Sequence, residues 1–381
     1  MKIAMIGHKD FPSRSGGIEV MVYGLATSLV ERGYDVTVYN RGREKGHNVY
    51  EALGVKVRRI FTFQKPALNA IVYSFLATFD AIRRDYDVIH YHAIGPSVPL
   101  VIAKLFGKHT VCTVHGLNWK VDKWGWFATH YMMLGEWIAA KYADDLVVLS
   151  ETAWEYVLKK YNRSATLIPN AVHIYPLPPC DAITRRYGLA ENDYILYVGR
   201  ISPEKGPLDL VEGYLKADTD KKLVLVGAID ESAYCRQVCE KAKEGGARIV
   251  MTDFVGERDV LRELYSHCAL FVLPSHTEGL SLALLEAMAS GARCLVSDIP
   301  ENTTVLSGYG ADFVTEDTDD LARKLEAEAK RARTQEERAA QVEFTRNNFD
   351  YEIMVDRYEE SYHFVAGDPL KKMPDRKKER R

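Results

Sequence analysis

Long apolar runs are missing from this 381-residue chain. The longest nearly uncharged stretch of apolar character, Pro66 to Phe79, falls short of the ~20 residues that a membrane-spanning helix requires, so no span is expected. The opening run reaches Gly7 and His8 before an apolar region of signal-peptide length can form, and export by that route is not expected. Paired cysteines are missing too. The six, at 112, 180, 235, 239, 268 and 294, show no Cys-x-x-Cys spacing, and several sit inside apolar runs such as His109 to Val114. Buried, reduced thiols of a cytoplasmic protein are expected, with disulfides or a zinc site as the alternatives. Neither a Gly-x-Gly-x-x-Gly turn nor a Walker A string occurs, which argues against a dinucleotide-dependent dehydrogenase and a P-loop ATPase. Positive charge is not in surplus either: 50 Lys and Arg stand against 53 Asp and Glu, a net of −3, and no nucleic-acid partner is expected.

What is present is unevenly spread. Residues 1–178 carry a net +6, residues 179–370 a net −14, and the last eleven, Lys371 to Arg381, a net +5. All five tryptophans, at 119, 124, 126, 137 and 154, fall in the basic first part. Trp and Tyr favour membrane–water interfaces and Lys and Arg favour anionic lipid, so an anionic inner-membrane surface is an expected partner. For any single tryptophan, packing of a helix on its sheet is the better explanation.

Short apolar β-rich runs alternate with helical patterns throughout, as in parallel sheets built from βαβ units. In the first part the runs are Lys2 to Ile6, Asp35 to Asn40, Val55 to Phe61, Val88 to His92, Thr110 to His115, Leu146 to Leu149 and Thr166 to Ile168. Apolar residues at 18, 22, 25, 26 and 29 predict a helix over Ile18 to Arg32, closed by Gly33. Three prolines within Tyr175 to Cys180 interrupt the pattern and mark a linker. A second series follows: Tyr194 to Val198, Lys222 to Val226, Arg248 to Met251, Leu270 to Leu273, Arg293 to Ser297 and Ala311 to Val314. Charged helical patterns then cover Asp319 to Val342 and Tyr351 to Val365. The expected fold class is α/β, with two doubly wound Rossmann-like domains, 1–175 and 181–348, facing across a cleft. A last helix, 349–367, and a basic tail, 368–381, follow. Ligands of such sheets bind beyond the carboxyl ends of the strands.

Three of those segments stand out. Gly16-Gly17, before the first helix, either admits an anion to backbone N–H groups or is a surface turn. Arg200 and Lys205, after the strand at 194, suit a diphosphate, one as a planar fork and the other as a point charge; a solvated loop is the plainer alternative. After the strand at 270, Glu278 lies in a loop, the N–H groups of Gly279, Leu280 and Ser281 sit where a helix starts and suit a donor phosphate, and Glu286 interrupts an otherwise apolar helix. A carboxylate there is costly unless it faces a polar ligand or a cation. Two weaker motifs read as structural. Asp85-Tyr86-Asp87 precedes its strand and so lies at the wrong end to hold a metal and a nucleotide sugar, and the pair His90 and His92 has no third ligand. No metal is expected.

The spacing Glu278-x7-Glu286, with the Gly-Arg-x4-Lys-Gly string of residues 199–206, resembles the donor site of glycosyltransferase family 4, retaining enzymes of the GT-B fold. The likeness extends to Gly16-Gly17, to the histidine of Thr113-Val-His115 and to the late helix, which in that family returns to the first domain. It implies a nucleotide diphosphate sugar as donor substrate, with no other cofactor. Arg200 and Lys205 would take the diphosphate, Glu286 the ribose hydroxyls, and Glu278 the hydroxyls of the transferred sugar. His115 would stand near the reacting sugar, and Gly16 and Gly17 close over the phosphates. Thr113 to Lys120 and Gly7 to Pro12 are also similar to bacterial surface-polysaccharide transferases, including rhamnosyltransferases. A saccharide or lipid-linked saccharide acceptor is implied, with a small soluble acceptor, or binding without turnover, as alternatives.

Overall fold

The computed structural model describes residues 1–42, 49–63, 66–116 and 125–367. They form two compact units: Met1–Asn170 with the segment from Tyr351, and Ala171–Asp350.

The first unit is built on eight strands: β1 (Lys2–Ile6), β2 (Asp35–Gly42), β3 (Val49–Ala52), β4 (Val55–Phe61), β5 (Val88–His92), β6 (His109–Val114), β7 (Asp145–Val148) and β8 (Thr166–Leu167). Their spatial order is β3-β4-β2-β1-β5-β6-β7-β8. Every pair is parallel except β3 with β4. Ile3 to Ile6 are fully buried, which is why β1 reads as an unbroken apolar run and not as an alternation. The chain builds outward on one side of β1 and then, from β5, on the other. The order therefore reverses between β1 and β5, and the segments after Ile6 and His92 flank that switch point.

Helix Gly17–Glu31 buries Met21, Val22, Leu25, Ala26 and Leu29 against this sheet. It ends as the sequence predicts: Gly33, at φ +86, lets its own N–H reach Val30 O at 2.9 Å while Tyr34 N reaches Leu29 O at 3.0 Å. The last helix, Tyr351–Val365, belongs to this unit. Ser361 Oγ donates to Asp145 at 2.7 Å, Arg32 pairs with Asp356 and Glu359 at 2.6 Å each and also with Glu352, and Tyr351 fills the space left by the missing side chain of Gly24.

The second unit is a six-stranded, wholly parallel sheet: β9 (Tyr194–Val198), β10 (Lys222–Val226), β11 (Ile249–Thr252), β12 (Leu270–Leu273), β13 (Cys294–Ser297) and β14 (Ala311–Phe313), ordered β11-β10-β9-β12-β13-β14. Here the order reverses between β9 and β12.

Three features differ from the sequence reading. Strand β3 was not expected. The charged pattern from Asp319 to Val342 is two helices, Thr318–Lys330 and Gln335–Phe349, because Thr334 and Glu337 form a capping box that starts a new one. The proline segment packs with the second unit: Arg262 donates to Pro176 O at 3.1 Å and His267 Nε2 lies 2.9 Å from Pro178 O. The chain thus leaves the first unit at Asn170, ahead of the expected boundary at 175. All six cysteines are free thiols, four of them buried. Among the described residues no helix is long and apolar enough to cross a membrane.

Candidate functional site

At the switch point of the second unit, the loop after β9 passes Gly199 and Arg200 and makes a single 3-10 turn, Pro203–Lys205. Gly206 then opens helix Pro207–Lys216. Gly206 has φ +62, and a Cβ there would stand 2.1 Å from the carbonyl oxygen of Pro274. Glycine is needed on both counts, and its absence of side chain lets the loop after β9 press against the loop after β12. His276 N donates to Glu204 O at 3.1 Å across that seam.

The close approach brings two of the expected site residues together. Lys205 Nζ lies 2.6 Å from Glu278 Oε1, with the side chains only 19% and 5% exposed. Ser275 Oγ donates to the same oxygen at 2.7 Å. Ser275 is held in turn, its carbonyl accepting from Ser297 Oγ at 2.5 Å, and Ser297 Oγ accepting from Asn302 Nδ2 at 2.9 Å. Arg200 is not drawn into this pair. Its guanidinium is 61% exposed and lies 3.1 Å from Glu204, while its carbonyl is fixed by the Tyr197 hydroxyl at 2.7 Å.

Gly279, Leu280 and Ser281 lead into helix Leu282–Ala289, whose N-cap is Ser281, accepting from Leu284 N at 3.4 Å. The positive end of that helix favours an anion beside Lys205. Glu286, half-buried, lies five residues past the cap, about 7.5 Å along the axis. Burial pushes the Tyr265 hydroxyl well above its ordinary pKa, and the neighbouring charge of Glu286 adds to the shift.

His276 was not singled out from sequence. Its Nε2 lies 2.6 Å from Asp209 Oδ2 and its Nδ1 3.4 Å from Glu316 Oε1, and the hydrogen bond to Asp209 is the main reason its pKa is raised. It pins the loop after β12 to the first turn of helix Pro207–Lys216. A histidine inside Pro274 to Gly279 was the available signal; its acidic partners are remote in sequence.

In the first unit, Gly16 is the N-cap of helix Gly17–Glu31 and Gly17 is exposed. A Cβ on Gly16 would stand 2.6 Å from Glu19 Oε2, and Glu19 Oε1 accepts from Lys9 N at 3.1 Å. The protein's own carboxylate therefore already sits at the positive end of this helix. His115 follows β6. The register that sets His92 opposite Thr113 brings His92 Nδ1 within 3.3 Å of His115 Nε2. Burial pushes His115 down to about 4 and His8, whose Nε2 faces Asn40 at 3.0 Å, also to about 4; it pushes His92 well below the ordinary histidine value. His90 is structural, with Nδ1 2.8 Å from the Tyr362 hydroxyl and Nε2 2.8 Å from Thr113 Oγ1. Asp85 and Asp87 lie at the amino ends of the central strands β1 and β5, opposite the carboxyl ends, where Asp85 pairs with Lys2 at 2.9 Å and Asp87 accepts from Lys2 N at 2.6 Å. Among the described residues no three His, Cys, Asp or Glu are grouped to hold a metal.

Trp119 and Trp124 lie outside the described residues. Trp154 packs against the core, its Nε1 donating to Ala165 O at 3.0 Å. Trp126 and Trp137 are 75% and 41% exposed on helix Trp126–Tyr142, alongside exposed Phe127, Met133 and Leu134, with Lys141 Nζ 5.1 Å over the Trp137 ring.

Residues 15–174 match the sequence profile of Glycosyltransferase Family 4, and residues 181–347 that of Glycosyl transferases group 1. The chain belongs to glycosyltransferase family 4. Among curated relatives of this glycosyltransferase, the UDP-Gal:alpha-D-GlcNAc-diphosphoundecaprenol alpha-1,3-galactosyltransferase of Escherichia coli is 28% identical over 64% of this chain and 66% of its own length. The GDP-mannose:cellobiosyl-diphosphopolyprenol alpha-mannosyltransferase of Xanthomonas oryzae pv. oryzae is 25% identical over 97% of this chain and 98% of its own. Among solved structures, the sucrose-phosphate synthase of Thermosynechococcus elongatus superposes with a TM-score of 0.82 at 20% identity, over 96% of this chain and 99% of that one. The two Rossmann-like units are those of the GT-B fold.

Proposed function

We propose that this glycosyltransferase moves a sugar from a nucleotide diphosphate donor to a saccharide or lipid-linked saccharide in surface polysaccharide synthesis, with retention at the anomeric carbon and no metal requirement. The observation that carries the reading is the nearly dry Lys205–Glu278 pair at the mouth of helix Leu282–Ala289, with Arg200 outside it. When the C1–O bond to the diphosphate breaks, negative charge grows on the leaving group, and Lys205, Arg200 and the helix terminus stabilise it. The acceptor oxygen bonds to C1 on the face the diphosphate leaves, and its proton passes to a departing phosphate oxygen, so no enzymatic nucleophile is assigned. Glu278 binds hydroxyls of the transferred sugar and Glu286 those of the ribose. The family resemblance assigns His115 to the reacting sugar and Gly16 and Gly17 to the phosphates, for which the Glu19 carboxylate at that helix end would have to give way.

Both relatives named above carry a diphosphate-lipid acceptor in their names, which supports a lipid-linked acceptor here. The exposed face of helix Trp126–Tyr142 supports docking of a cytoplasmic enzyme on the inner membrane face. The donors in those names differ in base and sugar, and rhamnose, suggested by the narrower sequence likeness, appears in neither.

Incubation with bacterial membrane lipids and radiolabelled UDP-galactose, GDP-mannose or dTDP-rhamnose tests the proposal. Label in the butanol-extractable lipid supports it. Label in a water-soluble product assigns the small-acceptor alternative, and donor binding with no transfer assigns a non-catalytic role.

A further inference from the structure

The imidazole of His92 is fully buried, and among the described residues only one of its nitrogens has a partner. Nδ1 faces His115 Nε2 at 3.3 Å, whereas Nε2 meets no hydrogen-bonding group among the described residues. A neutral imidazole carries one N–H and one lone pair, and the two placements are not equal in cost. A buried N–H without an acceptor is the rarer and costlier orphan; an unused lone pair is better tolerated. The proton therefore belongs on Nδ1, the partnered nitrogen, and Nδ1–H points at His115.

The surroundings hold His92 in this arrangement. Its ring lies 4.0 Å from that of His90, centroid to centroid. His90 is fixed at both nitrogens, by Tyr362 from the last helix and by Thr113, whose hydroxyl also meets that of Tyr358 at 3.0 Å. Neither neighbouring histidine supplies a competing charge, since burial keeps His90 and His115 neutral at neutral pH.

We propose that His92 is a positioning residue for His115: by donating Nδ1–H to Nε2 of His115, it fixes His115 as its Nδ1–H tautomer, a neutral hydrogen-bond donor to the substrate. This rests on the placing of His115 at the reacting sugar, but the tautomer itself does not depend on activity. In this state Nε2 of His115 is already engaged. The group offered to a ligand is an N–H suited to a sugar hydroxyl or a phosphate oxygen, and not a free lone pair suited to taking the acceptor's proton. The assignment thus agrees with a reaction in which the leaving phosphate accepts that proton.

Two-bond proton–nitrogen correlation spectra of the full-length chain, labelled with nitrogen-15 histidine at pH 7.5, test the assignment. The His115 signals are identified by their loss in His115→Gln. The expected pattern for His115 is a protonated Nδ1 and an unprotonated Nε2. His92→Asn, which keeps an amide N–H in place of Nδ1–H, should retain that pattern, and His92→Leu should lose it. A wild-type His115 protonated on Nε2 would overturn the proposal, as would a folded His92→Leu protein with the wild-type tautomer. If His92→Leu does not fold, the wild-type and His92→Asn spectra decide alone. Should the chain transfer no sugar, the spectra still decide the tautomer, so the two readings fail separately.

Discussion

Lys205 and Glu278, 73 positions apart in sequence, meet at 2.6 Å with their side chains 19% and 5% exposed. Removing the lysine leaves a desolvated carboxylate with the Ser275 hydroxyl still donating to it. Lys205→Ala should destabilise the second unit by about 3 kcal/mol. Adding Glu278→Gln should restore much of that, because a neutral amide does not need the cation. Urea unfolding of both single variants and the double variant measures the coupling, and additive losses would contradict a direct pair.

The His276–Asp209 contact has a pH signature. Folding raises the His276 pKa above its ordinary 6.5, so the charged pair contributes fully below pH 6.5 and its contribution disappears as the pH climbs through the raised value. Denaturant titrations from pH 6 to pH 9 should show the second unit weakening across this window, and His276→Gln should flatten the change.

Acid should act on the first unit with the opposite sign. His8 and His115 titrate near 4 when folded, against 6.5 for an ordinary histidine. Their neutral burial costs nothing above pH 6.5, and stability falls as the pH drops from 6.5 toward 4, where the unfolded chain binds the extra protons. His8→Phe should reduce the slope of unfolding free energy against pH by about one proton's worth in that range. An unchanged slope would place His8 in contact with solvent.

Gly24 separates helix propensity from packing. Alanine is the better helix former by about 1 kcal/mol, but a Cβ there would stand 2.1 Å from the Tyr351 ring. Overpacking costs about 1–3 kcal/mol, so after the propensity gain Gly24→Ala should lose up to about 2 kcal/mol net and expose the last helix to earlier proteolysis. A more stable Gly24→Ala protein would show that Tyr351 moves aside freely.

The membrane reading depends on Trp126 and Trp137. Wild-type protein should float with anionic vesicles, and the double variant Trp126→Ser, Trp137→Ser should stay behind. Equal recovery of the two, bound or unbound, removes this helix face from the account.

Much of this architecture is legible in the sequence because strands buried on both faces read as continuous apolar runs: the spans Lys2–Ile6, Val88–His92 and Lys222–Val226 coincide with the strands found. Strand β3 escaped for a local reason. It joins β4 by a two-residue turn in which Leu53 and Gly54 both take positive φ, at 54° and 75°, and leucine carries none of the Asn-Gly signal that usually marks such a turn. At the candidate site, residue types were legible and pairings were not. Glu286 drew notice as an acid in an apolar helix, but the Lys205–Glu278 contact needs Gly206 against Pro274. The His92–His115 contact needs the β5–β6 register. Each contact needs two stretches of chain far apart in sequence to meet, and no local motif announces which stretch meets which.

The central claim is that the switch point of the second unit holds a nucleoside diphosphate. Isothermal titration of the wild-type chain and of Glu286→Ala with UDP, GDP, ADP and dTDP tests it most directly. The account predicts that at least one of the four binds the wild type and that Glu286→Ala weakens it at least tenfold, the worth of one charge-assisted hydrogen bond. No binding by any of the four, or equal binding by the variant, would contradict it.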